Sequence, residues 1–230
     1  MKKGIFITAT GTDVGKTYIS ANLIKELKKE GVDISYFKAA LSGAEGEDLI
    51  PGDAKFVKDL NNLSATFDEM VCYIFKDAVS PHLAARKENV EIDLDFIKKR
   101  FFEELKKYDA LLMEGAGGIV CPIYFEKDKK IMLEDVIKTL GLSTIVVADA
   151  GLGTINHTVL TLNYLKDVGI EVKGVILNNY DDSWMDKDNL KCIEELSGKK
   201  VLAICEHNGD LQKRYDFKWT DILDEVKETK

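Results

Sequence analysis

Between the apolar run Ile5-Phe6-Ile7 and the helically periodic segment Ile19 to Leu27 stands Thr8-Ala9-Thr10-Gly11-Thr12-Asp13-Val14-Gly15-Lys16-Thr17. A buried strand, a glycine-bearing turn and a helix in that order are the setting a phosphate-binding loop requires. Backbone N–H groups of such a turn converge on phosphate oxygens, and the helix N-terminus adds partial positive charge. Lys16 then reaches the outer phosphates and the Thr17 hydroxyl is placed to ligate Mg²⁺. A nucleoside triphosphate is the expected ligand. One feature departs from the usual spacing: Thr10 stands where a glycine is usual, and Gly11 follows one place late. Gly11 and Gly15 are expected to supply the permissive backbone.

Such a loop works at the edge of a parallel sheet, so the chain needs more strands of the same kind. With 230 residues and no Pro- or Ser-rich linker it has length for one full core, and residues 1–230 read as a single domain. Ile34-Ser35-Tyr36-Phe37 is a second strand, with Lys38 to Gly43 at its tip, where parallel sheets carry functional residues. Val71 to Phe75 is a short strand. The amphipathic segment Asp93 to Tyr108 is a helix with Leu94, Ile97, Phe101 and Leu105 on one face, and it feeds the central strand Ala110-Leu111-Leu112-Met113. Helix-like segments at Leu133 to Leu140 and Ile155 to Leu165 alternate with buried runs at Thr144 to Ala148 and Gly174 to Leu177, and Val201 to Ile204 is the last strand. The alternation predicts an α/β fold, a doubly wound and mostly parallel sheet with helices on both faces.

Charge and cysteine usage narrow the partners. Net charge is −8, from 32 basic and 40 acidic residues that are well mixed, so no basic face for nucleic acid or anionic lipid is expected. The apolar runs fall far short of the ~20 residues that span a bilayer, and no signal-peptide core precedes the first strand, so a cytoplasmic protein is expected. Cys72, Cys121, Cys192 and Cys205 form no CxxC pair and read as free thiols, with Cys205 and His207 too isolated to make a nucleophile.

Several positions carry two readings each. Glu114, at the tip of a buried strand and followed by Gly115-Ala116-Gly117-Gly118, suits a second Mg²⁺ contact better than a solvated strand end. Asp53 reads as the cap of a short helix through Leu60. Ser80-Pro81 opens a helix, and His82 there reads as a packed or solvated histidine. Gly151 to His157 joins a strand tip to a helix start, as an anion site or as an ordinary turn capped by Thr154 or Asn156. Asn178-Asn179 is an Asx turn, or an amide that reads a base edge.

In order along the chain, these residues resemble the dethiobiotin synthetase family, the ATP-dependent ring-closing enzymes of biotin synthesis. The likeness rests on Thr12 to Thr17, Lys38 with Ser42-Gly43, Asp53, Ser80-Pro81-His82, Glu114 to Gly118, Leu152 to His157, and Asn178. The resemblance implies that 7,8-diaminononanoate takes up CO₂ as a carbamate, that ATP converts it to a carbamic-phosphoric anhydride, and that the second amine closes a cyclic urea. It assigns catalysis to Thr12, Lys16 and Lys38, and nucleotide binding to Asp13, Val14, Gly15, Lys16, Thr17, Tyr18 and Asn178. Substrate contacts fall to Ser42, Gly117, Gly118, Gly153, Thr154 and Asn156, and Mg²⁺ to Thr17, Asp53 and Glu114. It further implies a homodimer in which the helix start at Gly153 serves the other subunit's site. Ile204-Cys205-Glu206-His207 stands where the family has a proline-containing loop against the nucleotide base. The competing reading is a P-loop ATPase switch of the partitioning or septum-positioning kind. Those carry a second lysine early in the loop, where this chain has Ala9-Thr10-Gly11. Their membrane-surface helix is also poorly matched by the acidic stretch Thr220 to Lys227.

Overall fold

In a computed structural model, which describes residues 1–228, the first strand is apolar on both sides because both sides are covered. Along β1 (Lys3–Ala9), Ile5, Ile7 and Ala9 pack under α1 (Lys16–Lys29), while Phe6 joins a second core on the opposite face. Period-two alternation therefore sorts one strand between two cores. β2 (Ile34–Ser42) follows, then α2 (Gly52–Asn61), α3 (Phe67–Met70) and β3 (Val71–Phe75). α4 (Pro81–Glu88) and α5 (Leu94–Leu105) lead into β4 (Ala110–Glu114). A small hairpin of β5 (Pro122–Phe125) and β6 (Lys130–Met132) precedes α6 (Leu133–Leu140), β7 (Thr144–Asp149), α7 (Thr154–Asp167) and β8 (Val172–Asn178). The chain continues through α8 (Trp184–Ser197), β9 (Val201–Cys205), β10 (Leu211–Lys213), a single 3₁₀ turn at Trp219–Ile222 and β11 (Asp224–Glu225).

The main sheet runs β10-β9-β8-β7-β1-β4-β2-β3, parallel from β9 through β3, with β10 antiparallel at one edge. Chain order leaves β1 in both directions, toward β4 and β2 on one side and toward β7 on the other. The carboxyl ends of β1, β4 and β2 lie side by side there, at the kind of crevice where doubly wound sheets bind ligands. α1, α2 and Met70 of α3 build one core with Trp219, and α4 to α8 build the other, where Phe37 meets Phe101 edge-on at 5.5 Å. Each fully buried side chain of this size contributes about 1.5–3 kcal/mol. That stabilisation supports the polar groups held at the sheet's upper edge.

Two sequence expectations change. β2 continues to Ser42, so Lys38 lies inside a strand and not at its tip. Parallel pairing on both sides, Lys38 with Val71 of β3 and with Glu114 of β4, carries the strand on past Phe37. The second change is an addition: the acidic stretch Thr220 to Lys227, already a poor match to a membrane-surface helix, forms no such helix. It supplies an unforeseen strand, since β11 pairs antiparallel with Lys3 and Gly4, below the point where β7 joins β1. Glu30 accepts the backbone N–H groups of Trp219 and Thr220, both at 2.9 Å, which anchors the 3₁₀ turn to the end of α1. Among the described residues no helix is long and apolar enough to cross a membrane.

Candidate active site

The turn after β1 takes left-handed backbone at Asp13 (φ 59°) and Gly15 (φ 90°), whereas Gly11 does not. The loop thus uses Asp13 where the sequence suggested Gly11; an aspartate tolerates this region better than most residues. Gly15 is the N-cap of α1, no side chain caps the helix, and its first turn carries no acid. The helix's positive end and free N–H groups are left for an anion. Behind the loop the Asn178 amide donates to the Val14 carbonyl at 3.1 Å. A Cβ on Gly15 would come within 2.1 Å of that amide nitrogen, besides demanding a backbone that side chains rarely adopt. Gly15→Ala is therefore expected to weaken nucleotide binding by about 10-fold, the equivalent of ~1.4 kcal/mol out of a strain of roughly 1–3 kcal/mol. Calorimetric titration with ADP checks this.

Above the loop, four segments bring charges together. Lys16 is buried, and its ammonium donates back to the Gly11 carbonyl at 3.0 Å. Burial lowers its pKa, outweighing the pull of Glu114. Lys38, on β2, bridges Asp53 at the start of α2 and Glu114 at the end of β4, with 2.9 Å to Glu114 Oε1. For Lys38 burial again opposes the charge, but the Glu114 and Asp53 carboxylates win and hold its pKa above the usual lysine value. For Asp53 burial pushes the pKa up, and the Lys38 ammonium, helped by the Thr17 hydroxyl and Lys16, brings it below the ordinary value.

Thr17 Oγ1 lies 3.0 Å from both Asp53 Oδ1 and Glu114 Oε1. A hydroxyl has one proton to give, so one of these close oxygen pairs has no hydrogen between its atoms. Glu114 is 1% exposed, and its Oε2 has no hydrogen-bond partner. This is a donor set for a hard cation with oxygen ligands. Among the described residues no group of three or more His, Cys, Asp or Glu side chains is arranged to hold a metal. A cation here would complete its shell from phosphate or water, as Mg²⁺ does.

The capping role expected for Asp53 is absent: Pro51 is the N-cap of α2, and the Asp53 carboxylate turns to Thr17 and Lys38. Glu114 is likewise no solvated strand end.

A cleft of about 910 Å³ opens over this cluster. It brings together Thr12, Asp13, Gly15, Lys16, Thr17, Lys38, Ser42, Asp53, Glu114, Gly117 and Gly118. Ala78 to Pro81 and Val120 to Pro122 also line it; Ser80-Pro81 was singled out as a helix start, and the other five carried no signal beyond their place after strand ends. Ser42 donates its hydroxyl to the Val79 carbonyl, joining these two walls.

Val14, Tyr18 and Asn178 lie outside the lining, on the far side of the loop, where the Tyr18 hydroxyl donates to the Gly209 carbonyl at 2.9 Å. Asn179, also left-handed, donates to Asp149 at 2.7 Å and meets the His207 ring at 3.2 Å. His207 is thus not paired with Cys205, whose thiol burial raises to about 11.

Gly153, Thr154 and Asn156 stand apart from the cleft of their own chain, at the start of α7. The Thr154 hydroxyl turns inward to Thr158 at 3.3 Å and the residue is buried, whereas Asn156 is exposed.

A family model described as an AAA domain matches residues 3–214. A relative from Clostridium novyi (strain NT), named ATP-dependent dethiobiotin synthetase BioD, is 46% identical over 95% of this chain and 93% of its own. Relatives of the same name from Clostridium botulinum (strain Loch Maree / Type A3) and Brachyspira hyodysenteriae (strain ATCC 49526 / WA1) are both 48% identical. They cover 92% and 89% of this chain, and 94% and 92% of their own. The chain belongs to the dethiobiotin synthetase family. The family match runs beyond Asn179, where the recognisable motifs end, through α8 and β9 to β10.

Solved structures with the same fold include a ParA family ATPase from Chlorobium tepidum TLS. It has a TM-score of 0.56 and 17% identity, over 90% of this chain and 84% of that one. The MinC:MinD cell division complex of Aquifex aeolicus gives 0.53 and 17%, over 89% and 81%. At that identity the likeness is one of fold alone.

Proposed function

We propose that this chain is an ATP-dependent dethiobiotin synthetase, a cyclo-ligase that closes 7,8-diaminononanoate and CO₂ into a cyclic urea in biotin biosynthesis. Its working unit is the single domain 1–230, whose last two residues lie outside the described part, and its setting is the cytoplasm. The observation that carries the reading is the convergence of Lys16 and Lys38 with Thr17, Asp53 and Glu114 at one end of the cleft, in a chain nearly half identical to synthetases over almost its whole length.

An amine of the substrate attacks CO₂ and loses a proton, giving a carbamate. A carbamate oxygen attacks the γ-phosphorus and ADP leaves. The second amine then attacks the carbonyl carbon and loses a proton, and phosphate departs as the ring closes. None of these steps needs a covalent enzyme nucleophile. Phosphoryl transfer asks for positioning and charge stabilisation, and Lys16 and Lys38 supply fixed ammonium groups, with Thr12 beside them in the cleft wall.

The cluster's two lysines and two carboxylates balance each other, so a triphosphate arriving there brings unmatched negative charge. Thr17, Asp53 and Glu114 fit Mg²⁺, which when bound neutralises part of that charge. Asp13, Val14, Gly15 and Tyr18 hold the nucleotide around the loop, with Asn178 as its support from behind. Ser42, Gly117 and Gly118 shape the diamine end of the cleft.

The substrate's carboxylate is assigned to Gly153, Thr154 and Asn156 of a second copy, which makes the homodimer part of the site. None of the three lines the cleft of its own chain, which supports that assignment. Asn156→Ala is expected to raise the KM for the diamine by about 10-fold with kcat nearly unchanged, because it removes binding remote from the chemistry. An effect confined to ATP, or full activity in a strictly monomeric protein, would contradict it.

The deciding assay supplies 7,8-diaminononanoate, bicarbonate, Mg²⁺ and each common nucleoside triphosphate in turn, and follows cyclic urea and nucleoside diphosphate by mass spectrometry. Matched appearance of the two establishes the synthetase and its base preference. Triphosphate hydrolysis without ring closure would overturn the reading.

A further inference from the structure

Tyr36 precedes Lys38 by two residues on β2, so both side chains leave the strand on the face covered by α1 and α2. In the parallel register Lys38 stands opposite Glu114 and Tyr36 opposite Leu112. Tyr36 is therefore one diagonal step beneath Glu114, within reach of a long side chain. It is 1% exposed and lies under the cleft, outside its lining.

The Tyr36 hydroxyl and Glu114 Oε2 are both buried, and neither makes a hydrogen bond of ordinary geometry. A buried polar group left unmet costs about 1–3 kcal/mol, and here a donor and an acceptor are unmet in the same place. A phenylalanine would fill the same apolar space without that cost. A phenol hydroxyl carries one proton to donate, which is what an unmet carboxylate oxygen accepts.

We propose that Tyr36 is a positioning residue for Glu114: its hydroxyl donates to Oε2 from below and fixes the carboxylate with Oε1 turned toward Thr17 and the cleft. It touches neither substrate nor reacting atoms and acts only through Glu114. The inference rests on the reading of Thr17, Asp53 and Glu114 as a Mg²⁺ site.

Its test is the Tyr36→Phe enzyme, titrated calorimetrically with ADP in the absence and presence of Mg²⁺. Metal-free ADP affinity should stay at the wild-type value, while the gain that Mg²⁺ confers should shrink by about 10-fold, as when an outer-shell partner of a metal ligand is lost. In turnover the KM for Mg²⁺ should rise, with kcat at saturating Mg²⁺ near that of the wild type. In a Glu114→Gln background the same substitution should add nothing.

A Mg²⁺ response equal to wild type, an equal loss of metal-free ADP affinity, or full additivity with Glu114→Gln would overturn the proposal. So would a variant that fails to fold, since a hydroxyl that only orients Glu114 is dispensable for folding. A wild-type protein whose ADP affinity ignores Mg²⁺ would instead remove the cation site itself, and this inference with it.

Discussion

Replacing Lys16 by alanine is expected to lower the rate of cyclic urea formation by about 10³-fold or more while leaving the fold intact. The asymmetry follows from what the ammonium does in each state. Without nucleotide it is buried and held by a single hydrogen bond to the Gly11 carbonyl of its own loop. Burial lowers its pKa, so the protein gains little from keeping that charge. Removing the group costs the empty protein one charged hydrogen bond, about 1.5–3 kcal/mol, set against relief of the burial penalty. Once phosphate oxygens enter the loop, the same charge lies where negative charge accumulates during phosphoryl transfer. Its loss is then felt almost wholly in the transition state. Rapid-quench measurement of ADP formation, alongside thermal denaturation, separates the two. A variant that turns over within about 10-fold of wild type would take Lys16 out of the chemistry.

Most of the sheet was legible in the sequence because its strands are buried on both faces. Runs such as Ile5-Phe6-Ile7 and Ala110 to Met113 admit no half-exposed reading, and the helices between them carry clear periodicity. The loop was legible for a different reason, since Lys16-Thr17 after a strand has few other uses. What escaped were elements whose stability comes from tertiary partners. The strands at Leu211–Lys213 and Asp224–Glu225 are two or three residues long and exist only because β9 and β1 offer unpaired edges. Lys38 was read as a strand tip because Ala39, Ala40 and Ser42 are weak strand formers; pairing on both sides overrides that preference. By local pattern alone Asp53 read as a cap, since an aspartate before a short amphipathic helix caps more often than it does anything else, and only the family resemblance moved it to the Mg²⁺ set. Only the geometry shows its carboxylate turned to Lys38. Tyr36 carried no signal, because a tyrosine in an apolar strand reads as core until its hydroxyl is seen beneath a glutamate.

Lys38→Met gives the second large effect, and it should appear in stability as well as rate. Lys38 stands between two carboxylates, one of them 1% and the other 39% exposed in its side chain. Removing it leaves like charges facing each other with no counter-ion. Breaking a fully buried pair costs roughly 3–5 kcal/mol; water around Asp53 screens part of this, so about 2–3 kcal/mol is expected for the empty protein. Mg²⁺ should restore much of that loss in the variant and do far less for the wild type, because in the wild type it must displace an ammonium already there.

The pH dependence should also change sign in the acid range. In the wild type Asp53 titrates below its ordinary range, so its stabilisation is present above that range and is lost as pH falls through the lowered value. Lys38 titrates above its ordinary range, so its share is full below that range and is lost only as pH rises through the raised value. Without Lys38, burial and the facing negative charge push Asp53 upward. The folded variant then takes up a proton that the unfolded chain does not, and its stability rises as pH falls from about 7 toward 5. Urea unfolding at several pH values, with and without Mg²⁺, measures both effects. A variant that loses no stability, or whose stability falls with acid as the wild type's does, would show that Lys38 is not the counter-ion of this cluster. Turnover should drop by about 10³-fold in parallel, since the ammonium that balances the two carboxylates is also the one assigned to the carbamate oxygens.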